Sequence, residues 1–194
     1  REQALSPEHP DAPTPLHNLA NLFLEQGKYA EAELLYQRAL YIWEQALGPE
    51  HPRVAHPLNG LAELYREQGK YAEAELLYQR ALYIWEQALG PEHPVVAHPL
   101  NGLANLYKRQ GKYAEAEPLF QRALHIREHR LGSQHPETAV VLHDFAAFHR
   151  AQGNSNEAER LDQRALAIRE QALGSQHPET VATRTHYFCK THVY

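Results

Sequence analysis

A glycine recurs every 42 residues along this chain, at Gly27, Gly69, Gly111 and Gly153. Gly48, Gly90, Gly132 and Gly174 keep the same interval, as do His9, His51, His93, His135 and His177, each followed by proline. Residues 27–68 match residues 69–110 at 38 of 42 positions. A period of this length means that one supersecondary unit is built several times over, as a solenoid hairpin or a propeller blade.

The apolar pattern separates those two. In the 69–90 segment Ala74, Leu77, Tyr78, Ala81, Leu82, Trp85, Ala88 and Leu89 fall at helical steps, and the stripe is wide enough to be covered on two sides. Ala, Leu, Glu, Gln and Arg favour helix, and no β-branched run competes. Gly90 follows where a left-handed C′ residue is wanted, and Pro91 blocks continuation. The shorter stripe Leu58, Leu61, Ala62, Leu64, Tyr65 ends at Gly69 in the same way. Each unit is predicted to be helix A, a Gly-Lys turn, helix B and a loop of the form Gly-Pro-Glu-His-Pro. Neither helix can bury its stripe alone, so the hairpins must stack. The expected fold is all-α, an α-solenoid.

The residues Leu61-Ala62, Tyr65, Gly69, Tyr71, Ala74, Tyr78 and Ala81 resemble the tetratricopeptide signature, which returns at Leu103-Ala104, Tyr107, Gly111, Tyr113, Ala116, Phe120 and Ala123. The 42-residue period and the His-Pro loop are similar to the kinesin-light-chain subtype, also found in bacterial signalling proteins. The resemblance covers nearly the whole chain. It implies a right-handed superhelix of antiparallel hairpins whose A helices line a concave face, and a groove that takes short peptides with an aromatic among acidic residues. Leu58 and Leu100 depart from the family, where many members carry Trp. Pro15, Pro57 and Pro99 are expected to bend or delay helix A, and Pro118 to delay or bend the third helix B.

Four hairpins are expected, at 14–47, 54–89, 96–131 and 138–173, in one continuous array. Residues 1–13 would hold the end of a preceding helix B and its loop, and 179–194 a partial fifth helix A or cap. There is no Met, and Arg1-Glu2-Gln3 has no signal-peptide core behind it, so the chain reads as a piece of a longer cytoplasmic protein. Cys189 is the one cysteine and cannot form an internal disulfide. A net charge of −5 argues against a nucleic-acid partner, and no apolar run nears the ~18 residues that span a bilayer.

No catalytic constellation emerges, and an enzyme, a cofactor and a metal site are not expected. The Gly-Lys pairs at 27–28, 69–70 and 111–112 lack the flanking glycine and Ser/Thr of a phosphate loop and read as turns. The five loop histidines are too far apart to share an ion, and His125 with His129 lacks a third ligand. Trp43 and Trp85 are replaced by Arg127 and Arg169 in later repeats, so this position is expected to be half exposed between hairpins.

The face of helix A that its apolar stripe leaves free is the expected peptide-binding groove. It holds His17 and Asn21, then Asn59, Glu63 and Arg66, then Asn101, Asn105, Lys108 and Arg109, then His143 and Arg150. The two near-identical repeats differ only at Arg53/Val95, Glu63/Asn105, Arg66/Lys108 and Glu67/Arg109, and three of these four pairs lie on that face. Acidic Glu25, Glu63 and Glu67 mark its first half, and basic Lys108, Arg109 and Arg150 its second, which suits a partner with acidic residues. The competing expectation is a spacer or self-assembly array that associates end to end.

Overall fold

The computed structural model describes residues 13–188; the expectations for residues 1–5, His9 and Cys189 lie outside the described residues. Among the described residues there are nine α-helices and no strand. In order they are α1 (Pro13–Glu25), α2 (Tyr29–Leu47), α3 (Ala55–Glu67), α4 (Tyr71–Leu89), α5 (Ala97–Arg109), α6 (Tyr113–Arg130), α7 (Pro136–Ala151), α8 (Ser155–Leu173) and α9 (Pro178–Phe188). The fold is that of the α-solenoid class. Contacts group the chain into two compact units, residues 1–106 and 107–194, so the boundary falls within α5.

The hairpin turns follow from one glycine each. In α3–α4, Gly69 adopts φ +76°, its N–H donates to the Arg66 carbonyl, and the Lys70 N–H donates to the Tyr65 carbonyl at 2.8 Å. This is the Schellman arrangement, which satisfies the last carbonyls of the helix and reverses the chain. Lys70 Nζ then lies 4.9 Å from the centre of the Tyr65 ring. The glycine after helix B differs from the left-handed C′ expected of it. Gly90 has φ 90° and ψ 154°, a region open essentially to glycine alone.

The loop histidines cap the turn that follows, His51 and His93 the 3-10 turns Pro52–Val54 and Pro94–Val96 that lead into α3 and α5, and His135 the start of α7 itself. Nδ1 of His51 accepts from the Arg53 N–H at 3.2 Å, and Nδ1 of His135 from the Glu137 N–H at 3.2 Å. His93 and His177 do the same toward Val95 and Glu179. A ring nitrogen here plays the part that Ser or Asp oxygen plays at most N-caps.

The delayed helix starts expected from proline are corrected. Pro57 and Pro99 do not delay helix A: each sits third in α3 or α5, within the first turn, where its missing N–H would have no intrahelical partner. Helix α6 starts at Tyr113, in register with Tyr29 and Tyr71, and runs through Pro118. Pro118 is exposed, so the lost bond lies near solvent.

In the first unit α2 packs against α1 and α3, and α3 against α4. Ala20, Ala32, Tyr36, Leu61 and Leu64 form a core there. Tyr36 lies flat against Gly60, and Tyr78 against Gly102: a Cβ on either glycine would come within 2.6 Å of the Tyr36 Cζ or 2.5 Å of the Tyr78 Cζ. In the second unit α7 packs against α6 and α8, and α9 against α8. Its aromatic core is Phe120, Phe145 and Phe148, with ring centres 5.3 to 5.7 Å apart.

The tryptophan position is buried, not half exposed. Trp43 and Trp85 are 3% and 2% accessible, and Trp85 Nε1 donates to the Pro52 carbonyl at 3.1 Å. Arg127 and Arg169 are buried as well. Each guanidinium meets a glutamate ten residues on, Arg127 to Glu137 at 3.0 Å and Arg169 to Glu179 at 3.6 Å. Glu137 and Glu179 stand where the earlier repeats have Arg53 and Val95, so Trp gives way to Arg where a carboxylate is there to meet it.

Candidate functional site

The free face of helix A in the first unit is the wall of a cavity. It has a volume of about 510 Å³, and its walls include His17, Asn21, Leu24 and Glu25 from α1 and Asn59, Gly60, Glu63 and Glu67 from α3. His17 and Asn59 hold equivalent positions in their repeats, as do Asn21 and Glu63. The register places them because four- and three-residue steps return to one side of a helix.

His56, Trp85 and His98 complete the lining, and reading the sequence alone missed all three for this site. For the two histidines the missed signal was a second His-Pro pair in the second and third repeats, His56-Pro57 and His98-Pro99, in the first turn of helix A. These rings form a column: His17 and His56 are 5.9 Å apart, His56 and Trp85 5.1 Å, and Trp85 and His98 6.5 Å.

A hydrogen-bonded chain holds the α1 side of the cavity. Tyr36 Oη donates to Asn21 Oδ1 at 2.6 Å, and Asn21 Nδ2 lies 3.4 Å from His17 Nε2. An amide nitrogen can only donate, so Nε2 accepts and His17 is neutral, with its proton on a buried Nδ1 that has no hydrogen-bond partner. Burial, and then the neighbouring His56, pull the His17 pKa down to about 4. Burial and then the Arg53 charge also lower His56, although the residue as a whole is exposed. The Tyr36 phenol shifts upward, first by burial and then by Glu63 and Glu25, so it stays a donor.

Arg66 lies beside the cavity and bridges two of its carboxylates, to Glu63 at 2.9 Å and Glu67 at 2.8 Å. The cavity face therefore carries three carboxylates and one guanidinium, a net charge of −2.

The rest of the expected groove does not share this setting. Asn101 is half-buried on α5. Asn105 is 7% accessible, and its side chain donates to the Asn101 carbonyl at 3.1 Å. Its place on a free face is thus corrected: the shorter amide turns back onto its own helix. Lys108 and Arg109 occupy the last turn of α5, the former half-buried and the latter exposed.

In the second unit His143 and Arg150 converge on Asp162, which is 1% accessible. Arg150 bonds Asp162 Oδ2, and His143 Nδ1 lies 3.3 Å from Oδ1. They are partners of a buried carboxylate before they are groove residues.

His125 and His129 lie with ring centres 4.2 Å apart. Among the described residues no group of three His, Cys, Asp or Glu is placed to hold a metal, and no helix is long and apolar enough to cross a membrane.

Solved structures of similar shape follow the same pattern. BtubC (BKLC) from P. vanneervenii is 26% identical with a TM-score of 0.75, covering 92% of this chain and 71% of that one. A Podosopora anserina protein described as a kinesin light chain with nearly identical TPR-like repeats is 29% identical with a TM-score of 0.70, covering 92% of this chain and 85% of that one. A point variant of that protein matches equally, at 29% and 0.70, with 92% and 84% covered. No curated protein matches significantly. The tetratricopeptide repeat model matches residues 1–40, 11–82, 70–129, 98–171 and 137–187. Proteins of this kind generally serve as non-enzymatic modules for protein–protein interaction. The 42-residue hairpins and the matches along their length agree: this chain belongs to the tetratricopeptide repeat family.

Proposed function

We propose that the chain holds a peptide or a partner protein against the free faces of its A helices, as the interaction region of a larger cytoplasmic signalling or adaptor protein. The observation that carries this reading is the cavity on α1 and α3, whose walls include His17, Asn21, Asn59 and Glu63. The divergence of otherwise matching repeats at Glu63/Asn105, Arg66/Lys108 and Glu67/Arg109 supports it. So do the amides of Asn59 and Asn101, which suit an extended peptide backbone. At the last turn of α5, Lys108 and Arg109 would attract acidic residues of the partner; Arg150 has its first claim on Asp162.

A photo-crosslinking side chain placed at Asn59 tests the assignment, with Gln79, exposed on α4, as the control. Adducts with the partner should form at position 59 and not at 79. Equal labelling at both would refute the groove. Arg109→Glu should weaken an acidic partner by about 1–2 kcal/mol at low salt and less at high salt.

A further inference from the structure

We propose that the cavity of the first unit is a subsite for a cationic side chain of the bound peptide, an arginine above all. This rests on the groove reading and names what one part of the groove selects.

The cavity has the size of a small-ligand site, about 510 Å³. Glu25, Glu63 and Glu67 stand in its wall and no Lys or Arg does, so with Arg66 alongside the net charge is −2. Carboxylates only accept hydrogen bonds. The cavity is thus rich in acceptors. A guanidinium is the complementary group, with five N–H donors in a plane, no acceptor and a permanent charge.

The floor suits the same head. His56 is exposed there, its ring held edge-on to Trp85 at 5.1 Å. His17 and His56 both have pKa values below the usual imidazole range, so they add no opposing charge at neutral pH. Flat, neutral rings accept a guanidinium plane.

The acidity is not a demand of the hairpin. The next repeat keeps the same stripe and backbone with Asn105, Lys108 and Arg109 in place of Glu63, Arg66 and Glu67. What one repeat dispenses with, the other retains for a ligand.

The test titrates the full chain with acetyl-Ala-Ala-Xaa-Ala-Ala-amide peptides carrying Arg, citrulline or Glu at Xaa, read by amide chemical shifts. Citrulline keeps the shape of arginine and removes the charge. The Arg peptide should shift α1 and α3 signals and bind roughly tenfold or more tighter than the citrulline peptide. The Glu peptide should bind weakest. N-acetylarginine amide should shift the same signals more weakly, which separates a peptide residue from a free cation.

Glu63→Asn with Arg66→Lys and Glu67→Arg, residues that the next repeat already accommodates, should abolish the preference. Glu25→Gln, at an exposed residue, should reduce it severalfold without touching the core. Equal binding of Arg and citrulline, or no shift with the Arg peptide at millimolar concentration, overturns the cationic subsite. Shifts confined to helix B signals with every probe overturn the groove reading itself.

Discussion

Tyr78 and Asp162 hold the same register of helix B, 84 residues and two repeats apart, and do opposite things there. In the first unit the phenol ring lies on Gly102, so close that no side chain fits between them. In the second unit a buried carboxylate takes the ring's place and collects Arg150 and His143. The tryptophan position changes in the same direction: buried Trp85 becomes buried Arg169, with Thr183 and Glu179 as partners. One backbone repeat thus supports an apolar packing scheme and an ionic one. They should fail differently. Shape faults should dominate the first unit, and unpaired charge the second.

The largest effect should come from Arg150→Ala. It leaves Asp162, 1% accessible, with only His143 beside it. Removing one partner of a buried pair costs about 3–5 kcal/mol, because the remaining charge has lost both water and partner. Urea unfolding should show that loss mainly in α7 and α8. A loss under about 1 kcal/mol, the value of a surface pair, would mean that Asp162 is not held as a buried charge.

Acid should work on the other unit. His17 has a pKa of about 4 in the folded chain against an ordinary value of 6.5, and the His56 pKa is lowered too. Above 6.5 both are neutral in folded and unfolded chains, so their contribution is fully present. As pH falls from 6.5 toward 4 the unfolded chain takes up protons that the folded chain refuses, and stability is lost. For His17 the loss by pH 4 is about 3 kcal/mol. His17→Asn, which places there the residue of the next repeat, should flatten this part of the profile. Thermal melts of both proteins between pH 7 and 4 check it, and parallel profiles would remove His17 as the cause.

Gly60→Ala should act less. Alanine favours a helix interior over glycine by about 1 kcal/mol, but the new Cβ would meet the ring of Tyr36 at 2.6 Å from its Cζ. Overpacking of a core costs about 1–3 kcal/mol, so a net loss of up to about 2 kcal/mol is expected. A more stable variant would show that the ring can move aside and that the ring-on-glycine fit is not close packing.

The sequence made the hairpins legible because each depends on local features: a glycine, a helical stripe, a proline after the stripe. The site was only half legible. Helical steps identify the side of α3 opposite its own stripe, and His17, Asn21, Asn59 and Glu63 lie together as that rule requires. The same rule placed Asn105 on a free face, where it is buried, and His143 and Arg150 in a groove, where they meet Asp162. Those outcomes depend on a neighbouring helix and on side-chain length, and periodicity contains neither. The buried Arg127 was legible in principle. Glu137 appears in the repeat where Arg replaces Trp, but only the structure shows that the two meet.

The smallest effect concerns what the two units have in common. His51 caps the 3-10 turn Pro52–Val54 that leads into α3, and His135 caps α7 directly, each through a 3.2 Å bond to Nδ1. Losing a side-chain cap typically costs about 1 kcal/mol. In the second unit the loop has a further tie, since the Thr138 hydroxyl donates to the Gly132 carbonyl at 2.9 Å, where the first unit has Val54. The equivalent alanine substitutions should therefore differ. His51→Ala should cost about 1 kcal/mol and His135→Ala roughly half of that, because the threonine keeps the loop closed. Asn at either position restores an acceptor and should recover most of the loss. Amide exchange at Arg53 and Glu137, whose N–H groups the rings receive, reports each cap directly. If His135→Ala costs as much as His51→Ala, the threonine bond adds nothing, and the two loops are energetically the same despite their different sequences.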